Sequence, residues 1–204
     1  MKLTLIRHAE SEANAGYATS DPADICLTEL GKRQAIELAQ QFNEPPDLIL
    51  VTSYKRTQQT AQPLIEKFPL TPVEVWPLHE FTFLSPASCK NTTVQDRLPM
   101  VQQYWERCDP FFVHGKGAES FHEFMFRVGK CLADLRILHN NSVVMFTHGY
   151  VIRLIHQVIG SVENLTPDQV MIRVKNYTGN LPLHNCSING FHFGDSAVNA
   201  RCNL

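Results

Sequence analysis

The sequence predicts an α/β fold in which helices cover both faces of a largely parallel sheet, a three-layer sandwich. Short apolar runs lie at residues 3–6, 48–51 and 143–146. Runs of this length without polar alternation are typical of strands that are buried on both faces. Each run ends abruptly in polar residues, and amphipathic helical patterns lie between the runs. Strands that alternate with helices favour parallel pairing.

The first half of the chain predicts two helices and one more strand. Thr28 has a side chain favoured at the N-cap, and one apolar face follows it, formed by Ala35, Leu38, Ala39 and Phe42. We predict Ser53 as the N-cap of a second helix over 54–68. Arg56 then lies in its first turn, beside free backbone N–H groups that attract anions. Alternation over 72–76 predicts an additional strand.

The second half predicts further helices and strands. Apolar residues repeat at helical spacing from Val94 to Cys108. Ser120 with Glu123, and Thr166 with Gln169, form capping boxes that begin two more helices. An apolar helix over 151–159 follows the strand over 142–146, with Gly160 as its stop signal. Two strands, over 184–193 and 197–202, are predicted at the end.

Composition limits the classes of function. The 204 residues are 44% hydrophobic, enough for a single domain over 1–204 with its own core. The formal net charge is −2 and no basic run occurs, which argues against a nucleic-acid partner. No apolar stretch reaches the length of a membrane span, and Arg7 interrupts the first one too early for a signal peptide. We therefore predict a cytoplasmic protein without a membrane partner; its oligomeric state is not predicted.

The cysteines and histidines do not indicate a metal site. None of the six cysteines forms a Cys-x-x-Cys pair, and the nine histidines lack the His-Glu-x-x-His spacing. We predict reduced thiols, no metal and no cofactor.

Polar residues of catalytic type follow three of the predicted strands. Arg7 and His8 follow the first, Arg56 follows the second closely, and His148 follows the third. The carboxyl ends of parallel strands meet at one edge of a sheet. An arginine beside a histidine there suggests an anion that the guanidinium holds while the imidazole attacks it. Taken singly, each residue has an ordinary alternative: a solvated strand end, a surface charge or a satisfied core histidine.

Five segments in order resemble the histidine phosphatase superfamily, with its phosphoglycerate-mutase-like fold, in the branch that has His-Gly at the second histidine. They span residues 3 to about 155: Leu5 to Ser11 with Asn14; Leu27 to Ala35; Ser53 to Ala61; Leu78, His79 and Glu80; and Thr147, His148 and Gly149.

The resemblance implies a phosphatase that works through a phosphohistidine without metal or cofactor. His8 is the implied nucleophile and Glu80 the implied acid and base, with His79, Glu74 and Glu119 as competitors for the latter role. Arg7, Arg56 and His148 are implied to be catalytic as well. The implied substrate contacts are Arg7, Ser11, Asn14, Arg56, His148 and Gly149. The substrate is expected to be a phosphorylated small molecule, and a phosphoprotein is left open.

The sequence departs from the family pattern at two places. Ala9 replaces the usual glycine after the nucleophile, and a left-handed backbone there would strain it by about 1 kcal/mol. Phe81 to Leu84 replace the arginine and Tyr-Gly pattern that follows the acid in cofactor-dependent mutases. This change favours hydrolysis; mutase activity and a non-catalytic phosphate-binding role are the alternatives.

Residues 77–118 are predicted to form a cap-like insertion beside the site. Its aromatic and basic residues are Phe81, Phe83, Trp105, Phe111, Phe112, Lys90, Arg97 and Lys116. Two interpretations remain open: they contact the non-phosphate part of a substrate, or the aromatic rings only pack the insertion itself.

Overall fold

A five-stranded sheet forms the centre of the protein. The computed structural model describes residues 1–159, 165–177 and 183–192. The strands are β1 (Lys2–Arg7), β2 (Leu48–Val51), β3 (Val73–Val75), β4 (Ser142–Thr147) and β5 (Ile188–His192). Their order in the sheet is β3-β2-β4-β1-β5. The first four are parallel to their neighbours and β5 is antiparallel to β1, which confirms the mostly parallel sheet.

Seven helices lie in the described part of the chain. They are α1 (Glu29–Gln40), α2 (Lys55–Lys67), α3 (Pro86–Cys89), α4 (Val94–Arg107), α5 (Phe121–Arg136), α6 (Gly149–Ile159) and α7 (Pro167–Lys175). The Thr28 cap and the two predicted capping boxes are present. A third box, Thr93 with Asp96, begins α4. The predicted stop at Gly160 and the strand over 197–202 lie outside the described residues.

The predicted N-cap at Ser53 is wrong, because α2 is capped by Tyr54, one residue later, without a side-chain hydrogen bond. The first free N–H of the helix, on Lys55, instead donates to the carbonyl of Ala23 at 2.9 Å. A neighbouring loop therefore replaces the side-chain cap. Arg56 still lies in the first turn of α2.

Alternate residues of the central strands point to opposite faces and build two hydrophobic layers. Leu5, Leu50 and Met145 belong to the larger core, which packs against helices α4 to α7. Ile6 and Phe146 belong to the smaller core, which packs against α1 and α2. The three-layer arrangement is thereby confirmed. Within the described ranges, no helix is long and apolar enough to cross a membrane.

Candidate active site

Three predicted residues from distant segments form one buried cluster at the carboxyl edge of the sheet. His8 follows β1, Arg56 lies in α2, and His148 follows β4. The two imidazole centroids are 5.3 Å apart. Arg56 lies between them, with Nε 3.1 Å from His8 Nε2 and Nη2 3.1 Å from His148 Nδ1. All three side chains are at most 6% exposed. Two imidazoles and a guanidinium therefore surround a space suited to one small anion.

His8 has its Nε2 lone pair directed at this cluster. Its Nδ1 lies 2.7 Å from the carbonyl oxygen of Ala9. A carbonyl can only accept, so Nδ1 carries the proton and Nε2 accepts from Arg56. Burial, followed by the positive charge of Arg56, lowers the pKa of His8 well below the usual 6.5. The ring is therefore neutral and nucleophilic at Nε2 at neutral pH.

His148 is oriented by a hydroxyl pair that the sequence did not reveal. Its Nε2 lies 3.1 Å from Thr52 Oγ1, which lies 2.9 Å from Thr57 Oγ1. Because Arg56 donates to Nδ1, Nε2 carries the proton and donates to Thr52. Burial and the charge of Arg56 also lower the pKa of His148. Thr52 follows β2 directly, at the same sheet edge as the two histidines, and that position is the one signal that could have identified it.

Arg7 has a buried donor that is not paired within the described part of the chain. Its Nη1 donates to the carbonyl of Leu183, while its buried Nε has no hydrogen-bond partner among the described residues. A Cβ added to Gly149 would lie 3.8 Å from both Arg7 Nε and Glu80 Oε2. Gly149 has no side chain, so the guanidinium of Arg7 and the carboxyl group of Glu80 both lie close to its backbone. An unpaired buried N–H is costly, so this one favours an incoming acceptor.

Glu80 is the carboxylate of this pocket. Its Oε1 accepts from the backbone N–H groups of Phe81 and Tyr150, each at 3.1 Å. Burial raises the pKa of Glu80, and the charges of Arg56 and Arg7 oppose this rise. Its carboxyl group therefore holds a proton to a higher pH than a free glutamate does.

The three competing residues have other partners. Glu119 forms an ion pair with Arg127 at 2.5 Å, and Glu74 accepts from the Trp76 indole at 2.8 Å. The ring of His79 stacks on Tyr54, with centroids 5.5 Å apart. None of the three lines the pocket that contains His8 and Glu80.

Ser11 and Asn14 line the same pocket as His8. The N–H and hydroxyl of Ser11 donate to Asn14 Oδ1 at 3.3 and 3.1 Å, so Ser11 mainly orients Asn14. Asn185 donates to the carbonyl of His8 at 2.9 Å and to the same Asn14 oxygen at 3.1 Å. The Asn14 oxygen is thus fully engaged, which leaves its amide Nδ2 as the free donor. Nothing in the sequence pointed to Asn185.

The start of α1 fixes the chain next to His8. A Cβ on Gly31 would overlap the carbonyl oxygen of Glu10, so only glycine permits this close packing. Thr28 donates to the Glu10 carboxylate at 2.7 Å, and Gln34 accepts from the Glu10 N–H at 2.9 Å. Ala9 does not adopt a left-handed backbone, so the strain expected there does not arise.

Comparison with known proteins agrees with this geometry. The sequence profile of the histidine phosphatase superfamily (branch 1) matches residues 3–201. The chain belongs to this superfamily. It is 30% identical over 165 residues to phosphoserine phosphatase 1 of Hydrogenobacter thermophilus, covering 80% of this chain and 78% of the relative. The resemblance to the histidine phosphatase superfamily that was found in the sequence is therefore confirmed.

Solved structures of phosphatases share the fold of this superfamily member. A putative alpha-ribazole-5'-P phosphatase from Escherichia coli superposes with a TM-score of 0.75 at 24% identity, covering 99% of this chain and 96% of that one. Phosphoserine phosphatase from Entamoeba histolytica, in complex with 3-phosphoglyceric acid, gives 0.69 at 23% identity, covering 98% and 94%. The predicted enzyme class, a phosphoric monoester hydrolase, is the class that these names describe.

A pocket of about 380 Å³ opens from the cluster. Phe81, Phe83 and Arg97 of the segment 77–118 line it. Trp105 is packed in the core, Phe112 lies under Arg107 at 4.0 Å, and Phe111 is exposed. Neither Lys90 nor Lys116 belongs to the lining. The segment thus divides into residues that face the pocket and residues that pack elsewhere.

In the described residues, no group of three or more His, Cys, Asp or Glu is placed to hold a metal ion.

The two buried histidines predict a loss of stability at acid pH. Their folded pKa values lie below the unfolded value of 6.5, so the unfolded chain binds protons first as the pH falls. We expect the free energy of unfolding to decrease below pH 6.5, by up to about 1.4 kcal/mol per pH unit for each histidine. Urea unfolding between pH 7.5 and pH 5, values chosen to bracket about 6.5, measures this slope. His148→Gln should reduce it, whereas the exposed control His139→Ala should not.

Proposed function

We propose that this protein hydrolyses phosphomonoesters through a phosphohistidine formed on His8. The observation that carries the proposal is the unprotonated Nε2 of a buried neutral His8, held 3.1 Å from the guanidinium of Arg56. Such a nitrogen is a nucleophile, and the guanidinium beside it binds the oxygens of the group that it attacks. Glu80 in the same pocket supplies a carboxyl group whose pKa is raised by burial.

In the first step, His8 Nε2 forms a bond to phosphorus and the bond to the ester oxygen breaks. Substrate binding moves the Arg56 Nε–H from His8 to a phosphoryl oxygen, and Arg7 Nε–H gains the acceptor that it lacks. The substrate binds as a phosphate monoester monoanion and transfers its proton to Nδ1 of His148. The protonated Nδ1 then donates a hydrogen bond to a second phosphoryl oxygen. Glu80 gives its proton to the departing alkoxide, so the alcohol leaves neutral.

In the second step, water attacks the phosphohistidine. The Glu80 carboxylate takes a proton from the water, the bond from phosphorus to Nε2 breaks, and inorganic phosphate leaves with the proton that His148 Nδ1 had taken up. His8 returns to its neutral form and Glu80 to its protonated form. The positive charges of Arg7 and Arg56 stabilise the transferring group in both steps, and no metal ion is required for that purpose.

The names of the relatives support a small phosphorylated molecule as substrate. They describe phosphatases of phosphoserine and of alpha-ribazole phosphate. The part of the pocket after Glu80 carries Phe81 and Phe83 rather than basic residues, which favours transfer to water over transfer to a second hydroxyl. Mutase activity on phosphoglycerate is the alternative, since a related structure contains 3-phosphoglyceric acid.

Phosphate release tests the proposal. The purified protein, treated with a chelator, should release inorganic phosphate from p-nitrophenyl phosphate and from alkyl phosphates. With 3-phosphoglycerate, free phosphate without 2-phosphoglycerate supports hydrolysis, and the isomer without free phosphate would establish a mutase instead. Phosphate binding without turnover of any ester would indicate a non-catalytic protein.

Arg56→Lys should reduce kcat/KM strongly. Three Arg56 nitrogens reach three acceptors: His8 Nε2, His148 Nδ1 and the carbonyl of Pro22. A lysine has one nitrogen and cannot reproduce this fork, so we expect a loss of about 10²–10³-fold. Steady-state kinetics measures it. Arg33→Lys, on the exposed face of α1, is the matched control and should change kcat/KM less than twofold, and an equal loss in both variants would contradict the role of Arg56.

A further inference from the structure

The pocket has a second part, beyond the phosphate cluster, whose wall is largely apolar. Its apolar and aromatic lining residues include Ile25, Tyr54, Phe81, Phe83, Leu84, Pro86, Val94, Leu98, Val101 and Tyr150, and its polar lining residues are Thr19, Ser20, Thr82, Cys89 and Arg97. Most of these residues come from the segment 77–118. A phosphoryl group held by Arg7, Arg56 and His148 would direct the alcohol part of an ester toward this wall.

Helix α4 presents one apolar face to the pocket. Val94, Leu98 and Val101 lie at i, i+4 and i+7 and all three line it. Val94 is 43% exposed and Leu98 is 40% exposed, although both belong to the stripe that such helices normally bury. Apolar side chains that remain accessible inside a concave pocket are a common feature of ligand sites.

Another part of the wall consists of aromatic rings that pack against one another. Phe81 stacks on Phe124 with centroids 4.5 Å apart and is 3% exposed. Phe83 meets Tyr150 edge to face at 5.7 Å, and Tyr150 stacks on Trp105 at 5.4 Å. The rings of Phe83 and Tyr150 are partly accessible and belong to the pocket lining. Fixed aromatic surfaces of this kind bind flat or apolar groups with little loss of side-chain entropy.

Few charged side chains of the pocket could pair with a charge that the substrate carries in addition to its phosphate. Outside Arg7, His8, Arg56 and Glu80, Arg97 is the one charged side chain among the described lining residues. Its Nε donates to Thr92 Oγ1 at 2.7 Å, and its Nη2 donates to the carbonyl of Thr92 at 2.6 Å and to Thr19 Oγ1 at 2.7 Å. Arg97 therefore joins α4 to the loop at Thr19, and within the described residues only its Nη1 has no hydrogen-bond acceptor. A carboxylate or an ammonium group placed against the apolar side chains of this wall, away from that nitrogen, would lose water without gaining a matched partner.

We propose that the apolar wall selects phosphomonoesters whose alcohol carries an apolar ring and discriminates against alcohols that carry a carboxylate or an ammonium group. This inference rests on the proposed hydrolysis at His8 and deepens it by naming the substrate class. The burial of a ring against Phe83, Tyr150 and Leu98 favours the first class. The unpaired charge disfavours the second.

Primary alkyl phosphates test the selection. The ammonium group makes the leaving alcohols of O-phosphoserine and phosphoethanolamine more acidic than 2-phenylethanol, so leaving-group acidity alone would favour those two esters and not the aromatic one. We expect kcat/KM for 2-phenylethyl phosphate to exceed that for O-phosphoserine and for phosphoethanolamine by about 10–100-fold. Equal values, or a preference for O-phosphoserine, would overturn the inference while leaving the phosphatase assignment intact. If Arg97→Gln removed such a preference for O-phosphoserine, Nη1 of Arg97 would be a carboxylate site and the inference would be wrong.

A substitution on α4 tests whether this helix causes the substrate selectivity. Leu98→Ser should reduce the preference ratio of 2-phenylethyl phosphate over O-phosphoserine by about tenfold, since one apolar contact is worth roughly that in a hydrophobic pocket. Ile36→Ser replaces an exposed apolar residue of α1 that lies outside the pocket, and it should leave the ratio unchanged. An unchanged ratio in Leu98→Ser would contradict the role of α4. Both residues are exposed, so neither substitution should prevent folding.

Binding separates this inference from the catalytic proposal. Calorimetry with two non-hydrolysable phosphonates, 3-phenylpropylphosphonate and 2-amino-4-phosphonobutyrate, needs no turnover. Tighter binding of the first supports the apolar wall even if no ester is hydrolysed, in which case only the catalytic proposal fails. Tighter binding of the second overturns the inference whatever the kinetics show.

Discussion

Replacement of His8 by alanine should reduce phosphomonoester hydrolysis by on the order of 10⁶-fold, the size of loss seen when an enzyme loses its covalent nucleophile. The substitution removes Nε2 of His8, the nitrogen that is proposed to attack phosphorus, whereas His148 is proposed to act as a donor to a phosphoryl oxygen. Arg7, Arg56 and His148 remain, so phosphate binding should persist while turnover is lost. Steady-state kinetics with p-nitrophenyl phosphate and direct titration with inorganic phosphate measure the two effects separately.

A second variant guards against misfolding of His8→Ala. His8→Asn retains a polar group that can donate to the carbonyl of Ala9, as Nδ1 does, but it has no nucleophilic nitrogen. It should be equally inactive and should unfold at a temperature close to that of the native protein. The exposed control His139→Ala should be fully active. Retention of more than a tenth of the activity by His8→Asn would refute nucleophilic catalysis by His8.

Glu80→Gln should lower the rate of phosphoryl transfer to His8 by about 10²–10⁴-fold for alkyl phosphates, whose alkoxides need a proton to leave. The loss should be much smaller for p-nitrophenyl phosphate, because p-nitrophenolate leaves without help. Glutamine retains the size of the side chain and an oxygen that can accept from Phe81 and Tyr150, so the pocket should stay intact. A comparison of the two substrates in single-turnover kinetics measures the difference.

The pH dependence of the reaction rate is an independent test of the role of Glu80. Burial raises the pKa of Glu80, so the acid form persists above the usual glutamate range and is lost as the pH rises through that value. The rate of alkyl phosphate cleavage should therefore fall on the basic side. Glu80→Gln should lose the part of this decline that Glu80 causes and keep only the part that follows ionisation of the substrate monoanion. Glu74→Gln, which changes an exposed carboxylate outside the pocket, should keep the native profile. If the single-turnover rate of phosphoryl transfer to His8 falls equally for the two substrates in Glu80→Gln, general acid catalysis by Glu80 is excluded.

Local rules accounted for most of the fold. The caps at Thr28, Ser120 and Thr166 could be predicted because they depend on residues three positions apart. The buried strands could be predicted because an apolar run needs no long-range information. The cap at Ser53 failed because the carbonyl of Ala23, distant in sequence, satisfies the start of α2.

The parts of the site that the sequence did not reveal depend on contacts between distant residues. Thr52 touches His148 across 96 positions, and Asn185 touches His8 across 177. Neither contact leaves a periodic or motif signal. The helix α4 was predicted from its apolar stripe, but the accessibility of that stripe was not: Val94 and Leu98 remain exposed along the pocket.

The most direct test of the account is to trap the covalent intermediate. Rapid acid-free quenching during turnover of p-nitrophenyl phosphate, followed by intact-mass and fragment analysis, should show one added phosphoryl group on His8. The adduct should be labile to acid, stable to alkali and absent from His8→Asn. If the native enzyme turns over with no phosphorylated species, or carries the phosphoryl group on another residue, the phosphohistidine mechanism is contradicted.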